Sequence, residues 1–187
     1  MKYLSNKDAY MTKFVVILVA ALLNSCASVP LGTMLEFSTF GKEDFVALEP
    51  LEIRAKIHVD EPVLADVASA EMVLELTTDE GIRAFTFPLL LLSEEKIAPQ
   101  VGFFSRSVGK TEYTLKLSDE AVKNFIATQR IIQDEQTGSV SFSVTTGFQQ
   151  FPSNMTEIGL SVFLQLSEEE GFVTLFDAAK LNINYDG

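Results

Sequence analysis

Apolar and polar residues alternate one for one along most of the chain after residue 43. That is the period of a strand with one face buried and the other wet, as in antiparallel sheets. Leu51, Ile53, Ala55, Ile57 and Val59 alternate with Glu52, Arg54, Lys56, His58 and Asp60. Ala70, Met72, Leu74 and Leu76 alternate with Glu71 and Glu75. Thr77-Thr78-Asp79-Glu80-Gly81 then reads as a hairpin connection, with Gly81 free to take a positive φ. A return strand follows over Ile82–Leu92. Its Leu89-Leu90-Leu91-Leu92 run, closed by Glu94 and Glu95, has the pattern of a segment buried on both faces. Thr111, Tyr113, Leu115 and Leu117 form another alternating row, as do Val140, Phe142 and Val144, and Ile158, Leu160, Val162, Leu164 and Leu166. Ser167–Gly171 marks a second hairpin turn leading to Phe172–Phe176 and Leu181–Ile183, and a short strand also fits within 33–40.

One segment departs from this period. Ser118 followed by Asp119 and Glu120 is an N-cap with acids in the first turn, where they complement the helix dipole. Ala121, Val122, Phe125, Ile126 and Gln129 recur at helical spacing, which predicts a helix over about 119–133 lying across an open end or edge of the sheet. Seven to nine strands with one short helix and no strand–helix alternation predict an all-β fold. The expected architecture is an antiparallel β-sandwich, with a closed β-barrel as the alternative. There is no fixed-period repeat and no linker rich in Pro or Gly, so residues 44–187 read as a single domain.

Composition adds the material for a core and a sign of charge. The 187 residues are 47% hydrophobic, and the formal net charge is −12. Of the 14 Lys and Arg and the 26 Asp and Glu, Lys2, Lys7, Lys13 and Asp8 lie in residues 1–26, so the remainder carries a net −14. Such a domain is repelled by phosphate backbones and by anionic lipid, which argues against nucleic acid as a partner.

The first residues break the pattern again. Phe14–Leu23, FVVILVAALL, are ten apolar residues preceded by Lys13. As a helix they would measure about 15 Å, half of a bilayer's hydrocarbon core of about 30 Å. That is the length of a signal-peptide hydrophobic region. The run ends at Leu23-Asn24-Ser25-Cys26, which holds the only cysteine. This resembles the lipobox of bacterial lipoproteins: an aliphatic residue at −3, a small residue at −1, then the cysteine that is acylated and becomes the mature N-terminus. Asn24 stands where that family usually has a small or β-branched residue. The resemblance implies a signal peptide over 1–25, with Met11 as an alternative start, and a lipidated N-terminus and tether over 26–43. Ala27, in place of an Asp after the cysteine, favours the outer membrane by the enterobacterial sorting rule that the resemblance brings with it. Two other readings fit the same residues: ordinary signal-peptidase cleavage that releases a soluble protein, and an N-terminal helix packed on the body.

Candidate chemistry is sparse. His58 is the sole histidine, which excludes paired-His metal sites, and its register places it on the polar face of its strand. With Cys26 assigned to lipid, a Cys/His nucleophile pair lacks its thiol. Gly109-Lys110-Thr111 resembles the end of a phosphate-binding loop, but Phe104 occupies the place of the required upstream glycine and a strand, not a helix, follows. Acidic groups at Asp60-Glu61, Asp79-Glu80, Glu94-Glu95 and Glu168–Glu170 lack the alternating order of a calcium loop and read as turn tips. Asn154-Met155-Thr156 matches a glycosylation sequon by chance in a bacterial lipoprotein. Phe103, Phe104, Phe148 and Phe151 fall in expected loops and are the candidates for protein contact.

The resulting expectation is a non-enzymatic module without cofactor or metal. It is held to the bilayer through acylated Cys26, on the periplasmic side of the outer membrane, and serves as a binding or scaffold partner of an envelope protein. A small-molecule or lipid-binding β module and a carboxylate-based hydrolase are the alternatives, the latter needing two acids roughly 5–9 Å apart in a cleft.

Overall fold

The structure is a computed structural model that describes residues 40–99, 108–134, 139–150, 152 and 155–182. In chain order the elements are α1 (Lys42–Ala47), β1 (Arg54–Asp60), β2 (Leu64–Thr78), β3 (Gly81–Ile97), β4 (Lys110–Leu117), α2 (Asp119–Asp134), β5 (Ser139–Gln150), β6 (Glu157–Gln165) and β7 (Phe172–Asn182). The seven strands form one sheet in the order β5-β2-β3-β4-β1-β6-β7, antiparallel throughout and curled into a half-barrel. The all-β class therefore follows the alternation. The two layers expected of a sandwich are arms of one continuous sheet that meet along β3.

β3 joins those arms by changing partners. Gly81–Pro88 pair with β2, whereas Leu89–Ile97 pair with β4. Two local features separate the ladders at that point. Pro88 has no N–H with which to continue the β2 ladder, and its carbonyl accepts from the Ser118 N–H at 3.1 Å. Along β2 the register against β5 shifts between Asp66 and Glu71. Ser69 holds this irregularity: its hydroxyl donates to the Asp66 carbonyl at 2.9 Å and accepts from the Gly147 N–H at 3.0 Å. β2 consequently leaves β3 where the leucine run begins.

The inward rows of both arms share one core. Ala55, Ile57 and Val59 of β1, Met72, Leu74 and Leu76 of β2, Phe87 and Leu89 of β3, and Tyr113, Leu115 and Leu117 of β4 are all buried. Tyr113 reaches across from β4 to the backbone at Ala65, and burial pushes its phenol pKa upward. α2 follows its expected span, with Ser118 Oγ accepting from the Ala121 N–H at 3.0 Å as the cap. Its buried stripe of Ala121, Phe125, Thr128, Gln129 and Ile132 packs on α1 and β3. Phe125 stands between Phe45 of α1 and Phe87 of β3, with ring centroids 4.9 and 5.1 Å away.

α1 has no counterpart among the elements read from the sequence, because six residues are too few to display a helical period. Its hold is largely tertiary. The Asp44 carboxylate accepts the Gly41 N–H at 2.8 Å, and the buried Gln129 amide donates to the carbonyls of Phe45, Val46 and Leu48 at 3.1, 3.2 and 2.9 Å. Those carbonyls lie at the helix end, where only that of Phe45 also accepts a backbone donor, the Leu48 N–H at 3.3 Å, among the bonds described. Both hairpins expected from the sequence form, with Gly81 at φ 128° and Gly171 at φ 72°, where L-residues are strained.

Candidate functional site

Three places on the described surface combine chemistry with access. The first is a charged cluster on the outward face of the sheet. Because β1 and β4 pair with His58 opposite Glu112, side chains that alternate with the core residues meet across the strands. His58 Nε2 lies 2.6 Å from Glu112 Oε2, and Lys56 Nζ 3.1 Å from Glu112 Oε1. The His58 ring packs on Phe163 at 4.8 Å, and the Lys56 ammonium sits 4.5 Å above the Phe172 ring. Partial burial alone would raise the Glu112 pKa; the hydrogen bonds and positive charges of Lys56 and His58 outweigh it and hold the carboxyl below its usual 4.5. Ser161, opposite His58 on β6, is buried, and its hydroxyl donates to Asp177 at 3.4 Å. The cluster thus clamps β4 to β1 electrostatically.

That clamp has a pH signature. Since folding lowers the Glu112 pKa, the ionised group stabilises the fold above pH 4.5, and this contribution disappears as pH falls through the lower folded value. Glu112→Gln is expected to cost about 1 kcal/mol at pH 7. Urea melts across pH should show the gap closing in strongly acidic buffer. A gap independent of pH would contradict the clamp.

The second place is a groove of about 760 Å³ between α1, the turn after it and the β6–β7 hairpin. Phe40, Leu48, Leu166 and Val173 supply apolar walls, and Asp44, Glu49, Glu52 and Glu170 supply carboxylates. Three of these acids serve local backbone: Asp44 accepts from Gly41, Glu49 from Leu51 at 3.4 Å, and Glu52 from Glu168 at 3.1 Å. Their acceptor capacity is partly used in shaping the groove.

The third place is the far half of β3. Leu89 is buried, but Leu90, Leu91 and Leu92 are 49, 42 and 54% exposed. This corrects the expectation that the four-leucine run is buried on both faces. The reason is the divergence of β2, which leaves Leu89–Ile97 paired to β4 alone among the described strands. A register shift between Leu91 and Ser93 bulges the strand there. Exposed Glu94 and Glu95 follow, and Lys96 turns its ammonium to Glu61 at 3.6 Å.

Of the residues singled out in the sequence, Cys26, Phe103, Phe104 and Phe151 lie outside the described residues, as do residues 33–39 with their expected strand. Phe148 belongs to β5 rather than to a loop; it is half-buried and packs against the core. Lys110 and Thr111 open β4, so the glycine before them starts a strand. Asp79-Glu80 and Glu168–Glu170 occupy hairpin turns, whereas Glu94-Glu95 lie within β3. Among the described residues no three His, Cys, Asp or Glu side chains are grouped to hold a metal ion, and no helix is long and apolar enough to cross a membrane. The leucine edge is the feature that sequence reasoning missed. Pro88 immediately before the run was the available signal, since proline belongs at strand edges and bulges.

Comparison with known proteins finds no matching family model, no matching curated protein and no matching solved structure.

Proposed function

We propose that this protein is a non-enzymatic accessory module of the bacterial cell envelope, tethered to the outer membrane through acylated Cys26 and acting by holding a protein partner. The observation that carries this reading is the exposed Leu90–Leu92 run on a strand edge. Large apolar side chains presented together at a site the fold could have covered are the mark of an interaction surface. Burying each fully would contribute about 1.5–3 kcal/mol, so a partner that covers them gains a useful share of its binding energy. The tether rests on the lipobox resemblance at Leu23–Cys26. A body carrying a net −14 suits a module that stands off an anionic lipid surface.

A small-molecule-binding β module is the second reading, and the groove beneath Phe40 and Val173 favours it. Its size falls in the range of ligand sites, but its carboxylates restrict it to neutral or cationic ligands.

Crosslinking in intact cells followed by affinity capture tests the first reading. An envelope protein should be enriched with the wild-type chain and lost with Leu90→Lys/Leu92→Lys, whose substitutions fall on exposed positions and leave the core intact. Equal recovery of background proteins with both chains would count against it.

A further inference from the structure

We propose that Leu89–Ile97 of β3 is a strand-addition site, which takes, antiparallel to β3, an extended segment of a partner protein with lysine or arginine followed by apolar residues. The inference rests on the protein-binding reading above and specifies its mode and the chemistry of the partner.

The backbone argues for a strand as occupant. A strand directs the N–H and C=O of successive residues to opposite sides, so with β4 on one side of Leu89–Ile97, the donors and acceptors of its other edge have no ladder partner among the described residues. An exposed edge of this kind is a template for an added strand, whose main-chain hydrogen bonds supply affinity while alternate side chains supply specificity. Natural edges are commonly shielded by charge, proline or a bulge. Here Pro88 stands before the run and the charges come after it, while the bulge lies within it. The leucines themselves are left bare on both faces of the strand, Leu91 on the side of buried Leu89 and Leu90 on the other.

Charge selects the occupant. Glu94 and Glu95 are exposed beyond the leucines, whereas the neighbouring cation of Lys96 is turned to Glu61. The edge therefore offers apolar contact at one end and, at the other, negative charge with no ion-pair partner among the described residues. The chain as a whole carries −12, which steers basic segments toward it and opposes a second copy of itself. Nucleic acid and anionic lipid are repelled by the same field, and lipid offers no backbone to complete the ladder.

The test uses the full lipidated chain in neutral detergent micelles and a fluorescein-labelled nine-residue peptide that begins with two lysines and continues in alternating valine and threonine. Fluorescence anisotropy should report saturable binding. Affinity should fall at least about 10-fold when alternate amides of the peptide on its bonding side are N-methylated, or when Leu90→Lys/Leu92→Lys is used. Glu94→Lys/Glu95→Lys should reverse the preference toward a probe beginning with two glutamates, with far-UV circular dichroism and melting unchanged in both variants. Binding that survives N-methylation but not the leucine substitutions would leave a side-chain docking patch and remove strand addition. Self-association of the chain that the leucine substitutions abolish would make the occupant a second copy and overturn the partner assignment. No saturable binding up to about 1 mM would overturn the proposal outright.

Discussion

Replacing Phe125 by alanine is expected to destabilise the domain by about 3–5 kcal/mol, the usual cost of emptying a buried phenylalanine site. Phe125 is fully buried, and its ring is where the two helices meet the sheet, 4.9 Å from Phe45 and 5.1 Å from Phe87. Collapse around the gap is restricted on both sides. Phe45 belongs to a helix whose terminal carbonyls are held by Gln129, one turn further along α2. Phe87 lies on β3 one residue before the point where that strand passes from one arm to the other. A loss of this size is a large fraction of a typical domain stability of 5–15 kcal/mol. At roughly 2–4 °C per kcal/mol, it should lower the melting temperature by about 6–20 °C. The matched change Phe163→Ala, on the outward face beside His58, should cost far less. Equal losses at the two positions, measured by thermal melts, would contradict the assignment of inner and outer faces.

Much of this arrangement was legible in the residue pattern. The alternation of Ala55, Ile57 and Val59 with Lys56, His58 and Asp60 placed the same residues inside and outside that the structure does. Ser118 as a cap and the Ala121–Phe125–Gln129 spacing located α2 to within a residue at its C-terminal end. These features are local: a strand face and a helix cap are decided by neighbours within a few positions. Pairing partners are not. Nothing near His58 in sequence announces Glu112, 54 residues away, or the ring of Phe163 on a third strand. α1 was missed for the same reason, since the Gln129 amide that satisfies its last carbonyls comes from another element 81–84 residues further on.

The leucine run shows a different failure. An apolar stretch normally implies burial on both faces, and Leu89 obeys that rule. Leu90–Leu92 do not, because burial on the second side requires a neighbouring strand, and β2 has turned away at its irregularity between Asp66 and Glu71. Places where a locally sound rule fails without a compensating contact are where function is to be sought. The four phenylalanines that the sequence offers for protein contact are expected there as loop aromatics. For Phe148 the fold supplies a strand instead, since β5 continues through Gly147 and Phe148 to pair with Asp66 and Ala65.

The second large effect concerns the address. Cys26→Ala is expected to abolish incorporation of radiolabelled fatty acid and to move the chain out of the membrane fraction. The apolar run Phe14–Leu23 is too short to hold it there. Each buried methylene of an acyl chain contributes about 0.8 kcal/mol, so anchorage by more than one chain is firm and its loss is all or none. A variant that kept a thiol but moved it elsewhere should behave like the alanine variant, because the proposed acylation depends on the lipobox-like context of Leu23–Cys26.

Intact mass of the wild-type chain extracted from membranes bears most directly on the tethered-module account. A mature form that begins at Cys26 and is heavier than its peptide by the mass of acyl chains is the expected result. A form that begins at another residue, or one that begins at Cys26 without added lipid, would contradict it.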